Sequence, residues 1–171
     1  MLDPTTPVGT ARRARRRVHP RAYSTRDVIE KLIGPHHTYL RDALPFLQRV
    51  AAKVARDHGD RDPSLVELAT QLDIIAAALT AHMDEEESVL FPALLEGRER
   101  EAVALLFDMR RDHEELQLLL HELRLIARDY RPPGWACNSY RTLMYELRAL
   151  EADVFEHLRI ETRILLPRFV P

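Results

Sequence analysis

Four long segments of helical periodicity, separated by three short breaks, constrain the fold more than any other feature of this chain. Within each segment, apolar residues recur at alternating spacings of three and four, which is the pattern of a helix with one buried stripe. The segments cover about residues 25–57, 63–95, 99–130 and 138–165. Because long helices with short connections pack as antiparallel neighbours, the sequence predicts an all-α, up-down-up-down four-helix bundle over residues 24–170.

Capping signals support the predicted helix ends. Ser24 and Asp27 have the spacing of a capping box, Asp62 precedes a proline as a predicted N-cap, and Gly97 is placed to end the second helix. Pro45 falls inside the first helix and predicts a kink there. Near the helix ends, the predicted buried stripes include Ile33, Val89 and Ile164.

The composition fits a single helical domain with a core. Of the 171 residues, 46% are hydrophobic, and the formal net charge is -2. So small a charge gives no bias toward nucleic acid, and no run approaches the ~20 apolar residues of a membrane span. Neither a nucleic-acid partner nor a membrane is therefore expected. The single cysteine, Cys137, excludes an internal disulfide framework and predicts a reducing, cytoplasmic location.

Residues 1–23 differ from the rest of the chain. They include the basic stretch "ARRARRRVHPR" and lack apolar periodicity, which predicts a disordered Arg-rich tail. A weak contact with nucleic acid or an acidic partner is the alternative interpretation. The Arg12–Arg13 pair is not followed by an apolar segment, so it does not indicate an export signal.

Ionisable residues interrupt all four buried stripes. Each stripe contains a histidine, and two of the histidines are followed four residues later by a glutamate on the same helix face. These residues are His37, His82, Glu86, His113, His157 and Glu161. An unpaired buried carboxylate costs several kcal/mol, so the six residues need a common partner. Their nitrogen and oxygen donors suit iron, manganese or zinc, which predicts a metal site.

The spacing of these residues indicates a duplicated motif. "HMDEEESVLFP" (82–92) recurs as "HLRIETRILLP" (157–167), and His37 is separated from His113 by a similar interval. Counted from the breaks, all four histidines fall at one level of the bundle. This predicts a dinuclear site in which Glu86 and Glu161 bridge the metals and each metal has two histidines. Such a site has room for an oxo or hydroxo bridge and for a small ligand.

The other histidines are predicted to lie outside this ligand set. His36 points about 100° away from its neighbour on a helix, so it is expected to be exposed or to contact a ligand. His58 is expected at the turn after the first helix, and His121 is expected to be structural. His19 lies in the tail.

Several motifs together resemble a known family. They are "HHTYLRDALP", "KVARDHGDRDP", "HMDEEESVLFP", "MRRDHEELQLLLHELR", "PPGWAC" and "HLRIETRILLPR". In this order, over about residues 24–170, they resemble the haemerythrin-like (HHE) four-helix di-iron proteins, and within them the iron-sulfur cluster repair proteins. The resemblance implies two non-haem iron ions at the six residues named above. It also implies a role in nitrosative and oxidative stress, with damaged iron-sulfur proteins as partners.

Two departures from the family keep other functions open. Oxygen-carrying haemerythrins have a second histidine where this chain has Gln117, which argues against simple oxygen carriage. Repair proteins often carry a short N-terminal cysteine-bearing domain, whereas only the Arg-rich tail precedes the first helix here. The alternatives are an O2- or NO-binding or sensing protein and a di-iron oxidase, peroxidase or NO reductase. The sequence leaves open whether the protein is an enzyme.

Overall fold

The computed structural model describes residues 23–170, so the predicted disordered tail lies outside the described residues except for Tyr23. Within this range the chain forms four helices and no strand. They are α1 (25–58), α2 (Ser64–Glu96), α3 (Glu99–Ile126) and α4 (138–165). The predicted all-α, haemerythrin-like bundle is therefore confirmed.

Three of the four helices contain a π-helical turn. In such a turn the backbone N–H group bonds to the carbonyl five residues earlier, and the turn holds one extra residue. The turns are Leu32–His37 in α1, Glu86–Leu90 in α2 and Glu161–Leu165 in α4. A short 3-10 segment, Leu166–Arg168, follows α4.

Two of the predicted helix ends are found in the structure. The hydroxyl of Ser24 accepts a hydrogen bond from the Asp27 backbone N–H at 3.1 Å, and the Asp27 carboxylate accepts one from the Ser24 backbone N–H at 2.8 Å. Gly97 follows α2 in the left-handed conformation, with φ 71°. This conformation disfavours residues with a Cβ atom, which explains the glycine at this position.

Three other predictions about the helix ends and the kink were wrong. The N-cap of α2 is Pro63 rather than Asp62; the Asp62 carboxylate is instead buried and accepts hydrogen bonds from Arg128 at 2.9 Å. α3 ends at Ile126, because residues 128–130 all have positive φ. Pro45 lies within the uninterrupted segment Thr38–His58, and the irregular turn of α1 occurs instead at Pro35.

The π-helical turns also change which residues are buried. Of the predicted inward residues near the helix ends, Ile33 is exposed, and Val89 and Ile164 are only half-buried. The fully buried residues are instead Leu32, Leu90 and Leu165. A stripe extrapolated at 3.6 residues per turn misses this shift, since each π-helical turn adds one residue.

The helices pack in a closed ring, with α1 against α2 and α4, and α3 against α2 and α4. The bundle interior contains two separate hydrophobic clusters. The larger cluster includes Leu44, Leu72 and Leu147, and the smaller one includes Phe91 and Leu106. Along each helix, the predicted metal ligands lie around the point where the residues of one cluster give way to those of the other.

α2 is long and apolar enough, by length and composition alone, to cross a membrane. The core helix of a soluble protein passes the same test. In the bundle, the buried face of α2 packs on α1 and α3 and carries His82 and Glu86.

Candidate metal centre

The structure brings all six predicted ligand residues together. Each is between 0% and 5% exposed. α1 and α3 contribute one histidine each, and α2 and α4 contribute a histidine and a glutamate each. Together they form a polar layer between the two hydrophobic clusters, as the matched depths in the sequence predict.

The ligand atoms form two groups of four that share both glutamates. One group is His37, Glu86, His157 and Glu161, and the other is His82, Glu86, His113 and Glu161. Within each group, one donor atom from every residue lies within 4.8 Å of the others. Either group could hold one metal ion, and the two shared carboxylates could bridge a pair of ions.

The shortest contacts in the layer join imidazole nitrogens to the shared carboxylates. Glu161 lies 2.5 Å from His157 Nε2 and 3.1 Å from His113 Nε2. Glu86 lies 3.4 Å from His37 Nε2 and 3.6 Å from His82 Nε2. The Nε2 atoms of all four histidines therefore point toward the carboxylates at the centre of the layer.

The glutamates occupy equivalent positions in the local backbone. Glu86 begins the π-helical turn of α2, and Glu161 begins that of α4. His37 ends the turn of α1. π-helical turns are rare and occur often at functional sites. The duplication seen in the sequence thus extends to the backbone that carries the two carboxylates.

Several polar atoms in this layer have no hydrogen-bond partner among residues 23–170. They are the Nδ1 atom of His157 and, converging at the centre of the layer, the Nε2 atoms of His37, His82 and His113, both carboxylate oxygens of Glu86 and one oxygen of Glu161. A buried polar atom without a partner costs about 1–3 kcal/mol. So many converging atoms fit a metal site, because cations use the free lone pairs of imidazole and carboxylate groups.

The shared carboxylates strongly perturb the buried imidazoles. Burial alone would lower the pKa of His157, but Glu161 and Glu86 raise it to about 10. Against the same effect of burial, Glu86 and Glu161 also raise the pKa of His82. Burial would raise the pKa of Glu161, but the surrounding histidines hold it well below its usual value. The shared carboxylates thus favour the protonated forms of His157 and His82, and the histidines favour the ionised form of Glu161.

A carboxylate outside the ligand set contacts His37. Glu87 Oε1 lies 2.8 Å from His37 Nδ1, and Arg41 donates a hydrogen bond to the same oxygen at 3.1 Å. Arg41 also donates to Asp84 at 2.7 Å. The sequence places Glu87 off the buried stripe, so periodicity alone did not distinguish this contact from a solvated side chain.

The remaining histidines differ in their environments. His36 is buried, lies 3.0 Å from Asp153 through Nδ1, and has its ring centroid 6.1 Å from that of His157. His58 lies away from the polar layer, with its Nε2 3.1 Å from Cys137 Sγ. His121 is exposed rather than part of the core, and His19 falls outside the described residues. The side chain of Gln117 is also exposed.

Comparisons with known proteins agree with this geometry. A family model described as "Hemerythrin HHE cation binding domain" matches residues 28–169. The iron-sulfur cluster repair protein YtfE of Yersinia pseudotuberculosis serotype O:1b is 33% identical over 142 residues. That match covers 83% of this chain and 64% of the relative. The protein of the same name from Yersinia pestis (strain Pestoides F) is 32% identical over the same shares of both chains. The chain therefore spans less than two thirds of the length of these relatives, and the resemblance indicated by the motifs is confirmed.

Proposed function

The chain belongs to the haemerythrin HHE cation-binding family, and we propose that it acts there as an iron-sulfur cluster repair protein with a carboxylate-bridged di-iron centre. One observation carries the proposal: the two four-residue groups share both glutamates and lie fully inside the bundle. The repair role is supported by the printed name of the relatives.

The six residues have distinct roles in this proposal. His37 and His157 would hold one ion, His82 and His113 would hold the other, and Glu86 and Glu161 would be shared by both. The donor set of imidazoles and carboxylates suits iron, with manganese or zinc as substitutes. When bound, a pair of iron ions supplies a redox couple and a store of iron that can be donated.

The protein side chains control the release of that store. When an ion leaves, His157 and His82 can take up protons, because the nearby carboxylates raise their pKa values. The protons and the metal compete for the same nitrogen atoms. We therefore expect iron donation to be coupled to proton uptake at the imidazoles, while the two hydrophobic clusters exclude bulk water from the layer.

Metal analysis of the purified protein tests the site itself. The proposal expects two metal ions per chain, and near-UV absorption bands of a bridged ferric pair after loading with iron. Glu86→Ala should bind fewer ions, whereas Glu114→Ala, which alters an exposed glutamate of α3, should bind two. A purified protein that binds no iron, manganese or zinc contradicts the proposal.

A repair assay tests the function. The iron-loaded protein is added to an iron-sulfur enzyme whose cluster has been damaged by nitric oxide, and the recovery of enzyme activity is measured. Iron-loaded protein should restore activity faster than an equal amount of free ferrous iron. Equal recovery with free iron would reject the repair role and leave the metal site intact.

A second candidate function is the binding or turnover of a small molecule such as O2, NO or peroxide. A cleft of about 270 Å³ between α2 and α3 is lined in part by His82, which gives small molecules a route to the site. Reversible, stoichiometric binding of NO without turnover would support a sensor. Steady consumption of peroxide or NO would support an enzyme.

We also propose that the protein works in the cytoplasm, with damaged iron-sulfur proteins as its partners during nitrosative or oxidative stress. The single cysteine, which is free, suits a reducing compartment. Cell fractionation tests the location, and recovery of the protein mainly in membranes would contradict it.

A further inference from the structure

The two groups of ligands differ in how firmly the protein holds them. We propose that the metal ion bound by His82 and His113 is the exchangeable one and moves through the cleft between α2 and α3. Glu87 in turn anchors the ion bound by His37 and His157. This inference rests on the proposed di-iron function and names the ion that would be donated.

Among residues 23–170, only one of the four histidines contacts a carboxylate outside the ligand set through its second ring nitrogen. The Nδ1 atom of His37 lies 2.8 Å from Glu87, and Arg41 fixes that carboxylate from the other side. A carboxylate in this position fixes the orientation of the ring and makes the ligating nitrogen more basic. Glu87 is therefore a positioning residue for His37.

His157, the other histidine of this group, has no hydrogen-bond partner at Nδ1 within residues 23–170 and is held by packing. It is 0% exposed, and its ring centroid lies 4.9 Å from that of His37 and 6.1 Å from that of His36. His36 is itself fixed by Asp153 at 3.0 Å. The open groove between α1 and α4 is lined by Asp153 and Glu156, but neither His37 nor His157 lines it.

The histidines of the second group have weaker support. His113 Nδ1 contacts the hydroxyl of Thr162 at 3.3 Å, which is longer than the Glu87 contact and lacks its charge. His82 Nδ1 makes no hydrogen bond to any residue within 23–170. The two rings meet edge to face, with centroids 5.1 Å apart.

The second group also lies beside a route to solvent. The cleft of about 270 Å³ is lined by His82 together with Glu85, Asp112 and Glu115. A smaller pocket next to it is lined by both His82 and Glu86. His82 is 95% buried, and its unpartnered Nε2 thus lies behind acidic side chains that attract a hydrated cation.

Release of iron to a chelator tests the inference. The protein is loaded anaerobically with two ferrous ions per chain, and a coloured ferrous chelator is added in excess. We expect two phases of one ion each. Glu87→Gln should accelerate the slow phase by about tenfold or more, because losing such a carboxylate typically costs 10–100-fold in metal affinity. The fast phase should keep its rate. Glu114→Gln, at an exposed position, is the matched control and should change neither phase.

A second pair of variants tests the route. Ala81→Trp places a large ring in the cleft, because Ala81 lines it and is exposed. It should slow the fast phase without changing the slow one. Ala152→Trp makes the same substitution in the groove between α1 and α4 and should leave both phases unchanged. Circular dichroism and the melting temperature confirm that each variant is folded.

The possible failures are distinguishable. A protein that binds fewer than two metal ions contradicts the proposed di-iron function. Two bound ions that leave in a single phase overturn the present inference and leave the function standing. The same holds if Glu87→Gln accelerates the fast phase, or if Ala152→Trp slows release while Ala81→Trp does not.

Discussion

The metal-free protein should lose stability as the pH rises from 6.5 toward 10. The perturbation is deprotonation of His157, whose pKa is raised from 6.5 to about 10 because Glu161 and Glu86 outweigh the effect of burial. The folded state then binds this proton more tightly than the unfolded chain does. The stabilisation is fully present below pH 6.5 and is lost as the pH passes through about 10.

The size of the stability loss follows from the pKa shift of His157. One pKa unit corresponds to about 1.36 kcal/mol, so the rise at His157 corresponds to on the order of 5 kcal/mol. No discount for solvent screening is needed, since the side chain is 0% exposed. This is a large part of the 5–15 kcal/mol that typically separates folded from unfolded proteins. Burial also raises the pKa of Tyr130, but this phenol affects stability only above about pH 10.

Urea denaturation monitored by circular dichroism between pH 6.5 and 9.5 measures the effect. The metal-free protein should have a lower free energy of unfolding at the higher pH. The iron-loaded protein should show a much smaller change, because the metal replaces the proton on the imidazole. His157→Gln should remove most of the pH dependence of the free energy of unfolding. His121→Gln, which alters an exposed histidine, should retain this pH dependence. Equal stability of the metal-free protein at both pH values would refute the reasoning.

Three further outcomes are expected. Iron binding at pH 7 should release protons, because the pKa values of His157 and His82 are raised. Calorimetry in buffers of different ionisation enthalpy measures this release, and binding without proton release contradicts the prediction. Leu72→Ala should lower the free energy of unfolding by about 2–5 kcal/mol, measured by denaturation, because it opens a cavity at a residue that is 0% exposed; its iron content should stay at two per chain. Gly97→Ala should lower the free energy of unfolding by about 1–2 kcal/mol in the same measurement, because residue 97 has a φ of 71°, which a Cβ atom disfavours. An unchanged free energy of unfolding would show that the helix end can relax.

The sequence predicts those parts of the fold that depend on local chemistry and on regular periodicity. The Ser24–Asp27 capping box and Gly97 both act within a few residues, and both are found where the sequence places them. The convergence of the six residues is also predictable, because helices of similar length joined by short turns bring residues of equal depth to one level. His37 lies 23 residues before residue 60, which is in the turn between α1 and α2, and His82 lies 22 residues after it.

Contacts between helices outside the stripes were not predictable in the same way. Glu87 and Asp153 each contact a histidine of another helix, although periodicity places Glu87 on the outer face. Whether such a side chain reaches a ligand depends on the rotation and spacing of two helices. Asp62 is a similar case, since its partner Arg128 comes from a left-handed turn that no local signal in the sequence marks.

The π-helical turns explain why the six predicted residues converge while their apolar neighbours were displaced. His82 and His157 precede the turns of α2 and α4, and each glutamate stands at the first position of its turn. Each glutamate therefore follows its histidine by four positions of regular helix, as the periodicity assumes. The extra residue of the π-helical turn changes which side chains face inward only after the glutamate, where Leu90 rather than Val89 packs in the smaller hydrophobic cluster.

In α1 the order is reversed, because the turn ends at His37. There the displaced residue, Ile33, comes before the ligand. In all three helices the irregular turn thus lies on the side of the polar layer that faces the smaller cluster, and the side that faces the larger cluster keeps regular periodicity.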